Sequence, residues 1–420
     1  MSLFYKVLSS RFWAILLISG FLSAQYDQGI IISNEGNFGA PNAEVSFYNP
    51  QNQQVINNVY STANNEPLGD VLQHIGFYGD KAYLVLNNSN KVVVVNRSTF
   101  VKEAEVSQNV VLPRYITFNN DKYYVSNSVT NSVSSYSISN NTPLQNITVA
   151  GAPENVESIG NHVFAQIGWY ASGNVISVIN SSNDTLLQNI ELSPGGLNGM
   201  VANDTHLYVL TTGATFMHIF KINGTSLEIE AEFHTENIAS ASKFTIEDDL
   251  LFFVANGNQV YSLPTSLEGN PVLILNESNS TWSTFYGFNV WNGFVYSGDA
   301  SGFTAPSQVK VYQIGSSSPT TQFSTGIGVN GFYLNDGNMS VEDSFANKIQ
   351  LSIYPNPAKD FIQIQGIDRA EVSIYNVYGQ RLKSINWKGE RLNISDLTSG
   401  LYFVVFSTEN GIITKKLLVR

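Results

Sequence analysis

Along most of this chain apolar and polar residues alternate in short runs, and the runs return at a near-constant interval. Short turns stand at Gly79-Asp80, Asn120-Asp121, Gly160-Asn161, Asn203-Asp204, Asp248-Asp249 and Trp291-Asn292, with second residues 41, 40, 43, 45 and 43 positions apart. Behind each turn comes an alternating or apolar run: Ala82 to Leu86, Tyr123 to Val125, Val163 to Ala165, Leu207 to Leu210, Leu251 to Val254 and Phe294 to Tyr296. A polar loop then leads to a second run: Val92 to Val95, Val133 to Tyr136, Val175 to Ile179, His218 to Phe220, Val260 to Ser262 and Val309 to Tyr312. Runs of this length and pattern predict strands, and helical spacing of apolar residues is nowhere sustained, so almost no helix is expected beyond residue 24.

A period in the low forties with about four strands per unit is the signature of a β-propeller. Six units are direct, and a seventh is divided between the two ends. Gly29 to Ser33 and Val45 to Tyr48 read as second and third strands of a unit whose innermost strand is missing before Tyr26. Gly331 to Leu334 reads like the inner strands at Ile75 to Tyr78 and Tyr115 to Phe118, yet has no strands of its own after it. Ring closure by strand exchange is therefore expected, which removes sheet edges that would act as aggregation sites.

The two ends carry addresses. Lys6 and Arg11 precede an apolar run from Phe12 to Leu22, followed by Ser23-Ala24 before Gln25, as a secretory signal peptide cleaved after Ala24 requires. At the other end stand Tyr354, Pro355, Asn356 and Pro357, then Val372 to Asn376, Tyr378-Gly379-Gln380, Leu397 to Tyr402 including Gly400, and the basic close Lys415, Lys416 and Arg420. In this order the segment resembles the type A C-terminal sorting domain of the type IX secretion system of Bacteroidetes. The resemblance implies a small immunoglobulin-like β-sandwich, recognition by the secretion machinery, and removal on export. The expected organisation is a signal peptide at 1–24, a seven-bladed β-propeller at 25–335, a linker at 336–347 rich in Asn, Gly, Ser and acidic residues, and the sorting domain at 348–420. The fold class is all-β throughout.

Composition narrows the function. Hydrophobic residues make up 43% and charged residues only 13%, so Asn, Ser, Thr and Gly supply a neutral, hydrogen-bonding surface. Residues 25–345 hold nine Lys or Arg against 27 Asp or Glu, a formal charge of −18, whereas 346–420 hold ten against six. A field of that sign repels phosphate backbones, so nucleic acid is excluded as a partner. The chain has no cysteine, which removes disulfides, zinc-thiolate sites and thiol nucleophiles, and with them a lipoprotein anchor.

Tyr123-Tyr124-Val125-Ser126-Asn127 and the inter-unit loop Gly151-Ala152-Pro153 make the repeats similar to the YncE-like, YVTN-type seven-bladed propellers. Asn34 to Gly39, Phe285-Tyr286-Gly287, Val295-Tyr296 and Gly298 to Ala300 resemble a narrower branch at Bacteroidetes surfaces, whose best-known members capture corrinoids for an outer-membrane transporter. That resemblance implies a corrinoid ligand and an outer-membrane partner. The type IX label and the missing lipobox depart from the branch and leave the ligand open between a corrinoid and a glycan.

Loops between units, and between second and third strands, converge on one face of a propeller, where side chains vary without disturbing the sheets. That placement selects Asn37 and Phe38, Arg114, Glu154 and Asn155, Trp169 and Tyr170, Asn198, Phe216, Trp282 with Phe285 and Tyr286, and Asp299 with Phe303. Aromatic rings give wide apolar area and amides fix orientation, which suits a bulky, polar-edged ligand. For any one of these aromatics packing between units is the commoner role, whereas Arg114 serves equally as half of a structural ion pair.

Signals for catalysis are weak. The five histidines, His74, His162, His206, His218 and His234, fall in no metal-ligand spacing, and His162 and His206 sit beside turns where exposure is expected. Glu228, Glu230 and Glu232 alternate onto one solvated face. No nucleophile elbow, P-loop, dinucleotide glycine signature or Asp-rich calcium loop occurs, so neither cofactor nor metal is expected and the chain is read as a non-enzyme. Asp184-Thr185-Leu186 resembles the short O-glycosylation site of Bacteroidetes, and reads equally as a polar turn. Two functions follow: a surface or secreted module that captures a ligand on its loop face, or a structural or adhesive surface protein with no small ligand. A carbohydrate-active enzyme, with carboxylates drawn from different units, is a more distant third. A deep loop face with clustered aromatics marks the first, and a flat polar face the second.

Overall fold

The computed structural model describes residues 26–335, 351–376, 381–408 and 411–420. The expected signal peptide at 1–24, the linker at 336–347 and Gly379 lie outside the described residues. Up to Asn335 the described chain folds into seven four-stranded antiparallel sheets. The second sheet is typical, running from Leu72–Tyr78 at the inside through Lys81–Leu86 and Lys91–Asn96 to Lys102–Val106 at the outside. Its middle strands are covered on both faces by neighbouring sheets, which is why Val92 to Val95 form an unbroken apolar run. Its outer strand meets a neighbour on one face only, and its residues alternate between more and less exposed.

Each innermost strand packs against the next. Leu72–Tyr78 meets Pro113–Asn119, followed in turn by Pro153–Ile159, Leu197–Ala202, Ser242–Glu247, Gly287–Trp291 and Val329–Asn335, and the last packs back against the first. The apolar clusters lie between adjacent sheets, as with Ile176, Val178 and Phe164 against Leu207, Val209 and Phe220. The sheets thus form a closed, propeller-like ring around a central channel.

The closing strand is the one the sequence singles out. Val329–Asn335 pairs antiparallel with Gly29–Asn34, placing Gly331 opposite Ser33, Phe332 opposite Ile32 and Leu334 opposite Ile30. Phe332 is buried among Ile30, Ile32, Tyr296, Val309 and Val311. Asn335, fully buried, donates from Nδ2 to the Tyr26 carbonyl at 2.7 Å and accepts from Arg97 Nε at 2.6 Å, fastening the end of the ring to its beginning.

One helix, Val59–Asn64, lies between the first and second sheets where none is expected. Asn58 gives it no side-chain cap. The buried carboxylate of Glu44, reaching from the first sheet, accepts instead from the backbone N–H groups of Tyr60 at 2.9 Å and Ser61 at 3.2 Å. A helix start is a site for an anion, and here the anion comes from 16 residues upstream, beyond any local capping pattern.

Beyond the ring, a three-stranded sheet (Ser352–Tyr354, Phe361–Gln365 and Leu392–Asn393) and a four-stranded sheet (Arg381–Trp387, Ala370–Asn376, Gly400–Thr408 and Gly411–Val419) enclose a separate core of Ile353, Ile362, Val372, Ile374, Trp387, Val404, Phe406 and Leu417. No helix of the described residues is long and apolar enough to cross a membrane.

Candidate functional site

Six of the seven inner strands break register with their neighbour at the same place, just after their first residue. The residues bypassed are Gln73, Arg114 with Tyr115, Glu154 with Asn155, Asn198, Lys243 with Phe244, and Asn330. A β-bulge re-aims a side chain, and all of these line one cavity of about 1200 Å³ at the loop end of the channel. The seventh sheet has no bulge, and Tyr286, directly before its inner strand, lines the cavity instead.

The bulged residues also bind neighbouring sheets together. Arg114 donates through Nε and Nη2 to the two oxygens of Glu154 at 2.7 and 2.6 Å, and through Nη1 to Gln73 Oε1 at 2.5 Å. Asn155 donates to the Met200 carbonyl at 2.5 Å, Asn198 to the Ala241 carbonyl at 2.7 Å, and Lys243 to the Tyr286 carbonyl at 2.5 Å. Asn330 completes the circuit at the Leu72 and Gln73 carbonyls, 3.0 and 3.1 Å away. The repeat seen in the sequence is thus a ring of side-chain bonds around the cavity floor.

Charge on this floor is mostly spent internally. Burial works to lower the Arg114 guanidinium, but the hydrogen bonds and charge of Glu154 prevail and hold it above its ordinary value. Glu35 accepts from the Tyr286 hydroxyl at 3.0 Å and from Asn330 Nδ2 at 3.0 Å, and its pKa is raised because burial outweighs those bonds. Burial pushes Glu157 up to about 8 and His74 down to about 3, so at neutral pH the first is chiefly protonated and the second neutral. Lys243 opens onto the cavity with its ammonium 4.7 Å from the centre of the Tyr286 ring, and crowding by protein lowers its pKa against the pull of Glu35 and Glu154.

Of the residues selected from the sequence, Phe38, Arg114, Glu154, Asn155, Trp169, Tyr170, Asn198, Tyr286 and Phe303 line the cavity. Phe38 and Tyr170 project into solvent at 81% and 77% exposure. The other five stand off its wall. Trp282, 78% exposed, lies tilted against Phe303 at 6.3 Å, and Phe303 meets Tyr286 edge-on at 4.8 Å, so a line of rings runs from solvent to the cavity. Asp299 is not free for a ligand: it accepts from Thr281, Ser283, Thr284 and the backbone of Ser301, bonds that outweigh burial and lower its pKa, and it holds the loop that carries Trp282. Asn37 donates to the Phe303 carbonyl at 2.6 Å. Phe285 is a correction: it is buried against Phe288 in the core between the sixth and seventh sheets, because its left-handed backbone turns it inward. Phe216 packs edge-on to His218.

Glu35, Gln73, Glu157, Lys243 and Asn330 line the cavity without having been selected. Gln73, Lys243 and Asn330 share the second position of an inner strand with Arg114, Glu154 and Asn198, so aligning the units on that position finds them. The remaining histidines lie elsewhere. His162 and His206 are half-buried rather than exposed, bonded to the Gly224 carbonyl and to Glu230. Asp184 is a buried partner of Lys122, Tyr124 and Ser135, which gives the Asp-Thr-Leu turn a structural duty.

In the C-terminal unit Asn356 donates to the Lys416 carbonyl at 2.9 Å and accepts from Leu418 N–H at 2.8 Å, tying the Tyr354-Pro355-Asn356-Pro357 segment to the last strand. Tyr402 is buried with its hydroxyl donating to the Thr398 carbonyl at 2.7 Å. Lys415 acts on Asp249 through its charge, and Lys416 reaches Glu247 of the sixth sheet of the ring at 2.5 Å.

Residues 352–420 match the secretion system C-terminal sorting domain, so the chain carries a type IX sorting domain for secretion or surface attachment and engages that machinery. Among solved structures it is similar to a quinonprotein alcohol dehydrogenase-like protein of Bacteroides thetaiotaomicron (12% identity, TM-score 0.57, covering 74% of this chain and 78% of that one). It is also similar to a protein from Lactobacillus plantarum (11%, 0.56, 73% and 98%) and to Kuenenia stuttgartiensis hydrazine synthase (14%, 0.52, 76% and 96%). At such identities the likeness concerns the fold alone. No curated protein matches the chain. The match that covers most of its length spans residues 28–331, and by it the chain belongs to the family described as a domain of unknown function, DUF5074.

Proposed function

We propose that this is an exported binding protein, a seven-bladed β-propeller of the YncE-like kind, that captures a bulky, polar-edged ligand in its loop-face cavity and performs no chemistry on it. The observation that carries the reading is a cavity of about 1200 Å³ with a polar floor, beside the exposed rings of Phe38, Tyr170 and Trp282. Exposed rings of this size bury large area at low entropy cost on binding, while fixed amides and charges orient what is bound. A corrinoid and a glycan both present that combination of flat faces and polar edges. A partner in the outer membrane would receive a captured corrinoid. A purely structural or adhesive role has no use for so deep a recess.

The test is intrinsic fluorescence of the purified exported protein, titrated with cobalamin and then with a panel of glycans, since Trp169 lines the cavity and Trp282 stands beside it. Saturable quenching is expected from one ligand class, lost in Trp169→Ala and weakened about tenfold in Tyr170→Ala, the equivalent of about 1.4 kcal/mol. Silence toward cobalamin and every glycan would overturn capture in favour of the adhesive role.

A further inference from the structure

We propose that the ligand carries an acidic group, a carboxylate or a phosphate, and that Lys243 is the residue that binds it; the inference rests on the capture reading above. Lys243 sits in a β-bulge with its backbone in the left-handed region at φ +52°, an uncommon conformation for a residue other than glycine. The bulge places its side chain on the cavity wall.

The hydrogen bonds around it are one-sided. An ammonium has three N–H donors, and that of Lys243 uses one, on the Tyr286 carbonyl, with the Tyr286 ring beneath it. No carboxylate of the described residues forms a salt bridge with it; Glu35 and Glu154 act on it only through space. Those two acids are already engaged, Glu35 by Tyr286 and Asn330 and Glu154 by both nitrogens of the Arg114 fork. Glu157, protonated at neutral pH, adds no charge. The cavity therefore offers an anchored, solvent-accessible cation with two spare donors and no salt-bridge partner among the described residues. Such a cation makes charge-assisted hydrogen bonds to an anion that arrives with the ligand. The rings of Trp282, Phe303 and Tyr286 lead to this cation, so a flat-faced molecule with an acid at one edge fits the whole run.

The experiment is isothermal titration of the purified exported protein with three matched probes: a galactose oligomer, the oligogalacturonate of equal length, and the phosphorylated galactose oligomer. Wild type should bind at least one acidic probe about tenfold or more tightly than the neutral one, as a charge-assisted hydrogen bond provides. The preferred acidic probe separates carboxylate from phosphate. Lys243→Met, which keeps the aliphatic stem, should abolish the ratio of acidic to neutral affinity, whatever it does to the melting temperature; Lys243→Arg should retain part of it. Equal affinity for neutral and acidic probes in wild type, or a preference that survives in Lys243→Met, would overturn the anchor and leave capture standing. Binding of none of the three would overturn the anchor, whereas capture itself falls only with silence toward cobalamin and the glycan panel as well.

Discussion

Two side chains on the cavity floor illustrate how burial and pairing divide the work. Half-buried Arg114 and buried Glu154 are a bidentate pair at 2.6–2.7 Å, and removing the arginine strands the charge of the buried Glu154. Arg114→Ala should cost about 3–5 kcal/mol of stability, read as a shifted denaturation midpoint. The double variant Arg114→Ala/Glu154→Ala should recover much of that loss, because no unpaired charge remains; a double variant no better than the single would show that the pair is not the source. Glu157 makes the opposite case, a lone carboxyl whose pKa is raised from 4.5 to about 8 by burial. Folded and unfolded forms are both protonated below pH 4.5, so it costs nothing there. Between pH 4.5 and 8 the unfolded chain ionises while the folded carboxyl holds its proton, so wild-type stability falls as pH rises and levels off above 8. Glu157→Gln lacks this slope. Thermal melts of the two proteins should coincide near pH 4 and separate in favour of the variant by pH 8, and parallel curves would refute the assignment.

At the scale of strands, the alternation of apolar residues and the spacing of turns carry almost the whole ring, because each middle strand is covered on both sides and its sequence records that directly. The closing strand was legible for a different reason: Asn330 to Leu334 looks like an inner strand and has no followers, and it pairs with Gly29–Asn34 as that implies. Phe332 is 1% exposed at this seam, so Phe332→Ala should cost about 3–5 kcal/mol and lower the single cooperative melt of the ring. A smaller effect than the same change at Phe164, which is buried within the ring away from the seam, would mean that closure contributes little. What the sequence hides is what depends on contacts across the ring. The helix at Val59–Asn64 is capped by Glu44 from another element, and Phe285 reads as a loop aromatic until the left-handed turn that buries it is known. Lys243 and Gln73 were missed because a bulge leaves no mark in hydrophobic periodicity; only the alignment of all units on one position reveals them.

The whole molecule separates its tasks along the chain. The ring's apolar clusters lie between its own sheets, while the core of the sorting domain is confined to residues 351–419, so neither unit needs the other to cover its interior. Charge follows the same division, with −18 over residues 25–345 and a net positive tail. The contact between them includes an ion pair, Lys416 with Glu247, a small link beside two complete cores. Deleting residues 346–420 should therefore leave a ring that melts close to the full chain and binds the same ligand, yet no longer reaches the surface. The check is fractionation with protease shaving of intact cells: the truncated protein should be found protected inside, and the full chain digested or released. Truncated protein in the medium would show that the ring carries an export signal of its own. Loss of folding on truncation would show that the Lys416 contact is structural, and a Lys416→Ala variant of the full chain would then melt low as well.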